Sequence, residues 1–335
     1  MKRIISLLLA LALTLSLTAC TAPAEKADGG KLQIVTTLFP YYDFARAIAQ
    51  DRADVTLLLS PGREAHSFEP TPLDAVTISE ADVFLYNGGE GEYWVESMLD
   101  AAGEHIAVAS RMMDYVDALN EEYVEGMQGT DGHDHDHEHG SHDDHDHDHE
   151  EDEHDSDEIE YDEHIWTSPK NAVVLCRAVC DAICRADAEN AAFYRANCEN
   201  YCAQLEDLDA RFAALCESAP RRLLIFADRF PMLYFCREYG LDYRAAFHGC
   251  SGDTEPSLAT IKFLIDKVED ENIPVVYTID FGTKKVAAVV SECTGAAIET
   301  IYSMQTVSRA DFDAGETYLT LMERNLEALR KGLNA

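Results

Sequence analysis

Over the first hundred or so positions, apolar residues come in short Val/Ile/Leu runs separated by stretches with helical spacing. The pattern predicts strands over 31–37, 55–59, 82–86 and 106–109, alternating with helices over 41–51, 73–80 and 93–101. Ser168 has the chemistry of a helix N-cap, and Pro169 suits the first helical position. From about 188 to 216, helical spacing runs nearly unbroken without Gly or Pro, a long stretch for a globular helix, and Pro220 ends it. Alternation then resumes. Strands are predicted over 223–227, 243–247, 275–279 and 296–302, helices over 231–239, 257–271 and 285–293, and one closing helix over 312–332.

Strands that alternate with helices argue for parallel sheets. Two such blocks separated by one long helix predict an α/β fold of two lobes, each a parallel sheet flanked by helices, joined by a rigid helical connector. The expected boundaries are an N-terminal lobe over 32–186, the connecting helix over 187–219 and a C-terminal lobe over 220–335. Ligands of open α/β sheets bind at the carboxyl ends of the strands, so two facing lobes would enclose a site in their cleft.

One segment breaks the pattern. Between 131 and 163 the chain carries nine histidines, eighteen acids and no Lys or Arg. Apolar residues are nearly absent, so the loop over 129–160 cannot form a core and is expected to be disordered. The histidines are His133, His135, His137, His139, His142, His145, His147, His149 and His154. Neutral imidazole ligates zinc, copper and nickel, and the interleaved carboxylates concentrate any dication. The loop reads as a metal collector rather than a plain solvated spacer. The formal charge of −37 excludes nucleic acid as a partner, because that needs a basic surface.

The N-terminus adds a location. Lys2 and Arg3 precede an apolar run over 4–17, of signal-peptide size and too short to span a bilayer. It ends at Leu17-Thr18-Ala19-Cys20, which resembles the bacterial lipobox. The resemblance implies a signal peptide over 1–19, lipid on Cys20 and a polar tether over 20–31. The body would then be lipid-anchored to the outer face of a bacterial cytoplasmic membrane.

Nine cysteines follow Cys20. Cys176, Cys180 and Cys184 repeat at i, i+4, i+8, and Cys198 and Cys202 repeat the i, i+4 step, so each set forms a stripe on a helix. Such a stripe is more often a small apolar core face than a thiolate metal site. Cross-helix disulfides are open to an exported protein, and the odd count leaves at least one thiol unpaired in a monomer.

The loop after the second strand reads Ser60-Pro61-Gly62-Arg63-Glu64-Ala65-His66-Ser67-Phe68-Glu69-Pro70-Thr71-Pro72. It resembles the solute-binding proteins of zinc and manganese ABC transporters, with their PG-x-x-P-H-x-[YF]-E-P-[ST]-P motif. Asp162-Glu163-His164-Ile165-Trp166-Thr167-Ser168-Pro169 is similar to the family's D-P-H-x-W-[LT]-[SD]-P, and the stretch from Tyr86 to Trp94 also fits. The resemblance covers nearly the whole chain past the signal. It implies the two-lobed fold, His66 and His164 as metal ligands, and a His-rich loop ahead of the second ligand in zinc members.

The C-terminal half departs from that pattern. Where the family has a His or Glu after the strand at 223–227, this chain reads Ala227-Asp228-Arg229-Phe230-Pro231, and Asp228 is the nearest donor. Where the family's last acidic ligand often lies, it reads Tyr302-Ser303-Met304-Gln305, with no carboxylate. Asp280, past the strand at 275–279, could substitute, and His248 is an alternative donor. Asp228 could equally pair with Arg229 or cap the next helix, and His248 and His105 could be surface residues.

Zinc takes about four N, O or S ligands, so two histidines from one lobe and one or two carboxylates from the other would close a site. The harder two-His, two-Asp set favours manganese, whereas the His-rich loop favours zinc. The expectation is a zinc carrier that delivers its ion to an ABC permease and its ATPase. A manganese carrier, or a surface zinc buffer or adhesin, is the alternative. A zinc hydrolase is not expected, because neither H-E-x-x-H nor a nucleophile motif is present.

Overall fold

The fold rests on two four-stranded parallel sheets, seen in a computed structural model that describes residues 30–63, 68–103, 106–127, 160–249 and 255–334. The first sheet contains β1 (Leu32–Thr36), β2 (Ala53–Leu57), β3 (Val83–Tyr86) and β4 (Val108–Arg111), in the order β2-β1-β3-β4. Helices α1 (Phe39–Ala49), α2 (Pro72–Ser79) and α3 (Val95–Ala102) connect them. Two long helices follow, α4 (Pro169–Ala186) and α5 (Ala191–Ser218), and α5 joins the two sheets. The second sheet contains β5 (Leu223–Phe230), β6 (Asp242–His248), β7 (Val275–Ile279) and β8 (Ala297–Ile301). Its order, β6-β5-β7-β8, repeats that of the first. Helices α6 (Leu233–Tyr239), α7 (Leu258–Asp270) and α8 (Lys285–Thr294) connect its strands, and α9 (Arg309–Ala314) and α10 (Tyr318–Leu333) close the chain.

The central strands are apolar runs because both of their faces are covered. All five residues of β7 are buried, as are Val83, Phe84 and Leu85 of β3. One large apolar core reaches from Ile34 and Phe84 of the first sheet to Phe226 and Tyr277 of the second. A smaller core behind the second sheet gathers Ile225, Val276, Leu264 and Val290.

The expected α/β alternation is present throughout, and helix α4 starts where predicted, with the Ser168 hydroxyl accepting from Asn171 N. Three details differ. The closing segment is two helices, because Gly315 at φ +77° terminates α9 and Thr317 with Thr320 forms a capping box that starts α10. The long connector starts later than its pattern, after a short turn over Ala188–Asn190 held by the Asp187 side chain. Strand β5 runs past Ala227 to Phe230, with a break in register between Phe226 and Arg229. Cys176, Cys180, Cys184, Cys198 and Cys202 are all buried free thiols. No helix among the described residues is long and apolar enough to cross a membrane.

Candidate metal centre

Each sheet reverses strand order beside its first strand, between β1 and β3 in one and between β5 and β7 in the other. The carboxyl ends of strands at such a switch point leave a crevice. A small cavity of about 20 Å³ lies at each. That is room for about one water molecule or a bare ion. The first is walled by Thr37 after β1, Asn87 after β3, Phe68, Glu92, Trp94 and Glu163. The second is walled by Arg229 of β5, Ile279 and Phe281 around the end of β7, Ser303 and His164. Gln305 lines both. Polar atoms without a hydrogen-bond partner gather here, with Trp94 Nε1 on the first wall and Thr306 Oγ1 on the second. Buried polar groups are normally paired, so this concentration marks a place for a polar guest.

His164 is fixed by its own neighbourhood. The preceding Asp162 is buried, and its Oδ1 accepts from the His164 backbone N at 2.7 Å and lies 3.0 Å from the ring Nδ1. A carboxylate on Nδ1 fixes the tautomer and leaves the lone pair on Nε2. Asp162 Oδ2 is buried with no partner among the described residues. Burial alone would pull the His164 pKa down, but the adjacent Asp162 outweighs it and holds the imidazole above its ordinary value. Beyond His164, Trp166 Nε1 donates to Ser303 O at 2.8 Å and Tyr318 Oη donates to Trp166 O at 2.7 Å. The His164 segment is therefore tied to the second half at both the loop after β8 and helix α10.

Each crevice keeps a carboxyl out of water. Desolvation raises Glu92 to about 7, and Glu163 nearby adds to the effect. Glu163 Oε1 accepts from Gly91 N at 2.8 Å, and burial raises its pKa too. A Cβ on Gly89 would sit 2.4 Å from that Oε1, so only glycine allows this approach, at φ +91°. In the second half, desolvation raises Asp280 to about 6, and its Oδ1 accepts from Ser303 N at 3.2 Å.

The sequence-derived candidates fall unevenly around these crevices. His164 is on the second wall, and Asp280 supports that wall through Ser303. Asp228 precedes the wall residue Arg229, within the irregular part of β5. Its carboxylate is occupied by protein, with Oδ2 2.5 Å from Thr278 Oγ1 and 3.3 Å from Ile279 N, and Oδ1 2.9 Å from Arg229 N. His248 stands elsewhere, 3.5 Å from Glu121 Oε1 and against the Tyr123 ring. His66, the nine loop histidines, His105 and Cys20 lie outside the described residues, although Phe68, two positions after His66, lines the first crevice. Sequence reasoning missed Glu92, Glu163 and Gln305 as cavity residues. Gln305 sits in the carboxylate-free stretch Tyr302-Ser303-Met304-Gln305, where its side-chain amide oxygen is the signal the sequence offers.

The His-rich loop is rooted beside this centre. Its two ends pair at Asn120 and Tyr161, with Glu121 N donating to Glu160 O and Asp162 N to Leu119 O, both at 2.9 Å. A larger cavity of about 220 Å³ opens at this root, lined by Glu90, Glu121, Glu160, Glu163 and His248. Glu163 belongs to this cavity and to the first crevice alike.

Known proteins share this organisation. The family model described as zinc-uptake complex component A, periplasmic, matches residues 34–332. The high-affinity zinc uptake system protein ZnuA of Bacillus subtilis (strain 168) is 31% identical over 316 residues, covering 93% of this chain and 91% of that protein. The zinc-binding lipoprotein AdcA of Streptococcus pneumoniae (strain ATCC BAA-255 / R6) is 30% identical over 99% of this chain, which spans 61% of that longer relative. Among solved structures, the Zn(II)-bound ZnuA-like domain of Streptococcus pneumoniae AdcA superposes with a TM-score of 0.70 at 26% identity, covering 91% of this chain and 100% of that one. The metal-dependent lipoprotein YcdH from Bacillus subtilis gives 0.72 at 29% identity with the same coverage. The chain belongs to the family of periplasmic zinc-uptake components, binding proteins of a transport system and not enzymes.

Proposed function

We propose that this protein captures zinc outside the cytoplasm and hands it to an ABC permease driven by its ATPase, while tethered to the membrane through lipid on Cys20. His66 and His164 supply the imidazoles. The second half supplies oxygen, from Asp280 first and from Asp228 once it is released by Thr278. Arg229 on the same wall opposes a bare cation, so a carboxylate must accompany the ion. Gln305 adds a neutral oxygen between the two crevices. A cation bound by both halves favours the arrangement that brings them together, which gives a permease a loaded shape to recognise.

The observation that carries this reading is His164, buried, oriented by Asp162 and placed at the switch-point crevice of the opposite sheet. The loop histidines act ahead of it as a collector, and an acidic cavity lies where the chain enters and leaves the loop. The test is a competitive titration of zinc against manganese, on protein starting at Cys20 with and without residues 131–158. One tight zinc-preferring site should survive the deletion while total stoichiometry falls. A site that prefers manganese would reassign the cargo, and loss of tight binding on deletion would overturn the collector role.

A further inference from the structure

The cysteine stripes of α4 and α5 face one another and line neither crevice. Cys176 of α4 and Cys198 and Cys202 of α5 are buried, and their three sulfurs all lie within 4.8 Å of one another. The Cys198 and Cys202 sulfurs are 3.9 Å apart. Cys180 touches the group through Cys198, and Cys184 continues the line 4.0 Å beyond Cys180. An apolar core face needs small side chains, but it does not need sulfur at all five positions of two facing stripes. Alanine would fill such places with better helix propensity.

The spacing suits a metal. A d10 ion about 2.3 Å from each of three sulfurs in its plane, the zinc–thiolate length, sets them about 4.0 Å apart. The donor set then chooses the ion. Structural zinc is almost always four-coordinate. Here three sulfurs are mutually close, and Cys180 reaches only one of them. The group itself holds no oxygen or nitrogen side chain. Soft, all-sulfur, low-coordinate sites select copper(I). We propose that Cys176, Cys198 and Cys202 form a second metal site, independent of the transport cleft, that holds one copper(I) ion between the two long helices.

Cys198 is the natural anchor. Its sulfur lies 3.9 Å from that of Cys202, and its neighbouring thiols with the positive charge of Arg177 lower its pKa, so it gives up its proton most readily of the group. Each thiol that joins the ion releases its proton to solvent, and no electron is transferred, because the copper enters as copper(I). The middle of α4 would be pinned to the N-terminal half of α5, which would stiffen the segment that connects the two sheets. Burial means that loading is fastest during folding, before α4 and α5 close.

The test is anaerobic refolding of the whole chain with copper(I) and a chromogenic copper(I) chelator as competitor. X-ray absorption at the copper edge separates sulfur ligands from the nitrogen of the loop histidines. The expected result is one chelator-resistant copper per chain with a sulfur-only shell of about three neighbours. Cys198→Ala and Cys202→Ser should each remove that copper. Cys184→Ala and Cys293→Ser should retain it. Because a core variant can misfold, the unaltered protein carries the decisive measurement. A nitrogen-only shell, a cross-helix disulfide in protein purified without air, or preferential uptake of zinc over copper(I) at these sulfurs would each overturn the proposal.

Discussion

The two halves share one strand order and differ in how each treats its acids. In the first half, Asp162 serves a histidine, and Glu92 and Glu163 face a crevice. In the second half, Asp228 is held by Thr278 and Ile279 of the neighbouring strand β7, and Asp280 accepts from Ser303 N beyond β8. The same topology therefore yields a prepared side and a side that must rearrange. Metal affinity should depend most on the prepared side, and the largest expected effect follows. His164→Ala should weaken zinc binding by more than about 100-fold, beyond the 10–100-fold typical of losing an outer-shell partner. A chelator-competition titration measures it, and a loss below about tenfold would remove His164 from the metal.

Asp162→Asn keeps the size of the side chain and removes the charge behind His164. Zinc affinity near neutral pH should fall about 10–100-fold, because the ring is less firmly oriented and less basic. The pH dependence should move as well. Zinc must displace a proton from His164, whose pKa Asp162 now holds above the ordinary value of 6.5. In the unaltered protein, binding should therefore begin to fail above 6.5 as the pH falls. In the variant that decline should start at a lower pH. An unchanged profile with reduced affinity would mean that Asp162 only positions the ring.

Glu92 tests the first crevice through stability. Its ordinary value is 4.5 and its folded value is about 7. Between those values the folded protein holds a proton that the unfolded chain has released. That contribution is fully present below about 4.5 and is lost as the pH rises through 7. Glu92→Gln should abolish this slope and stabilise the metal-free protein above pH 7 by on the order of 3 kcal/mol. Thermal melts of both proteins at pH 5 and pH 8 would check it. Equal melting differences at the two pH values would place the charged form of Glu92 in a better-solvated setting than this one.

The contrast between the halves also shows what a sequence makes legible. Strand β7 and the N-cap of α4 were readable, because a buried Val/Ile run and a Ser-Pro start each have one structural solution. The break between α9 and α10 was missed, although Gly315 and the Thr317–Thr320 box carry it, because apolar spacing continues across them. At the site, His164 stands within a motif of fixed local geometry. Gln305 depends on a turn after β8 where Met304 adopts φ +59°, and on a neighbour from the other half, and neither is written in local pattern. Asp228 was nameable as a residue, but the bulge that directs its carboxylate to Thr278 comes from pairing with β6.

That bulge sets the smallest expected effect and the sharpest contrast between the two aspartates. Asp280 also accepts from backbone, Ser303 N at 3.2 Å among the donors, but burial still raises its pKa to about 6, so a cation beside it offsets a buried charge. Asp228 would have to leave Thr278 and Ile279 first, and each such hydrogen bond contributes about 1 kcal/mol. Asp280→Asn should therefore cost more zinc affinity than Asp228→Asn. The Asp228 variant should lose less than about tenfold in affinity, together with about 1 kcal/mol of stability from the acceptor that its amide nitrogen cannot replace. The reverse order in paired titrations would mean that zinc draws Asp228 out of its bulge, and that the second half rearranges around the ion further than its metal-free hydrogen bonds suggest.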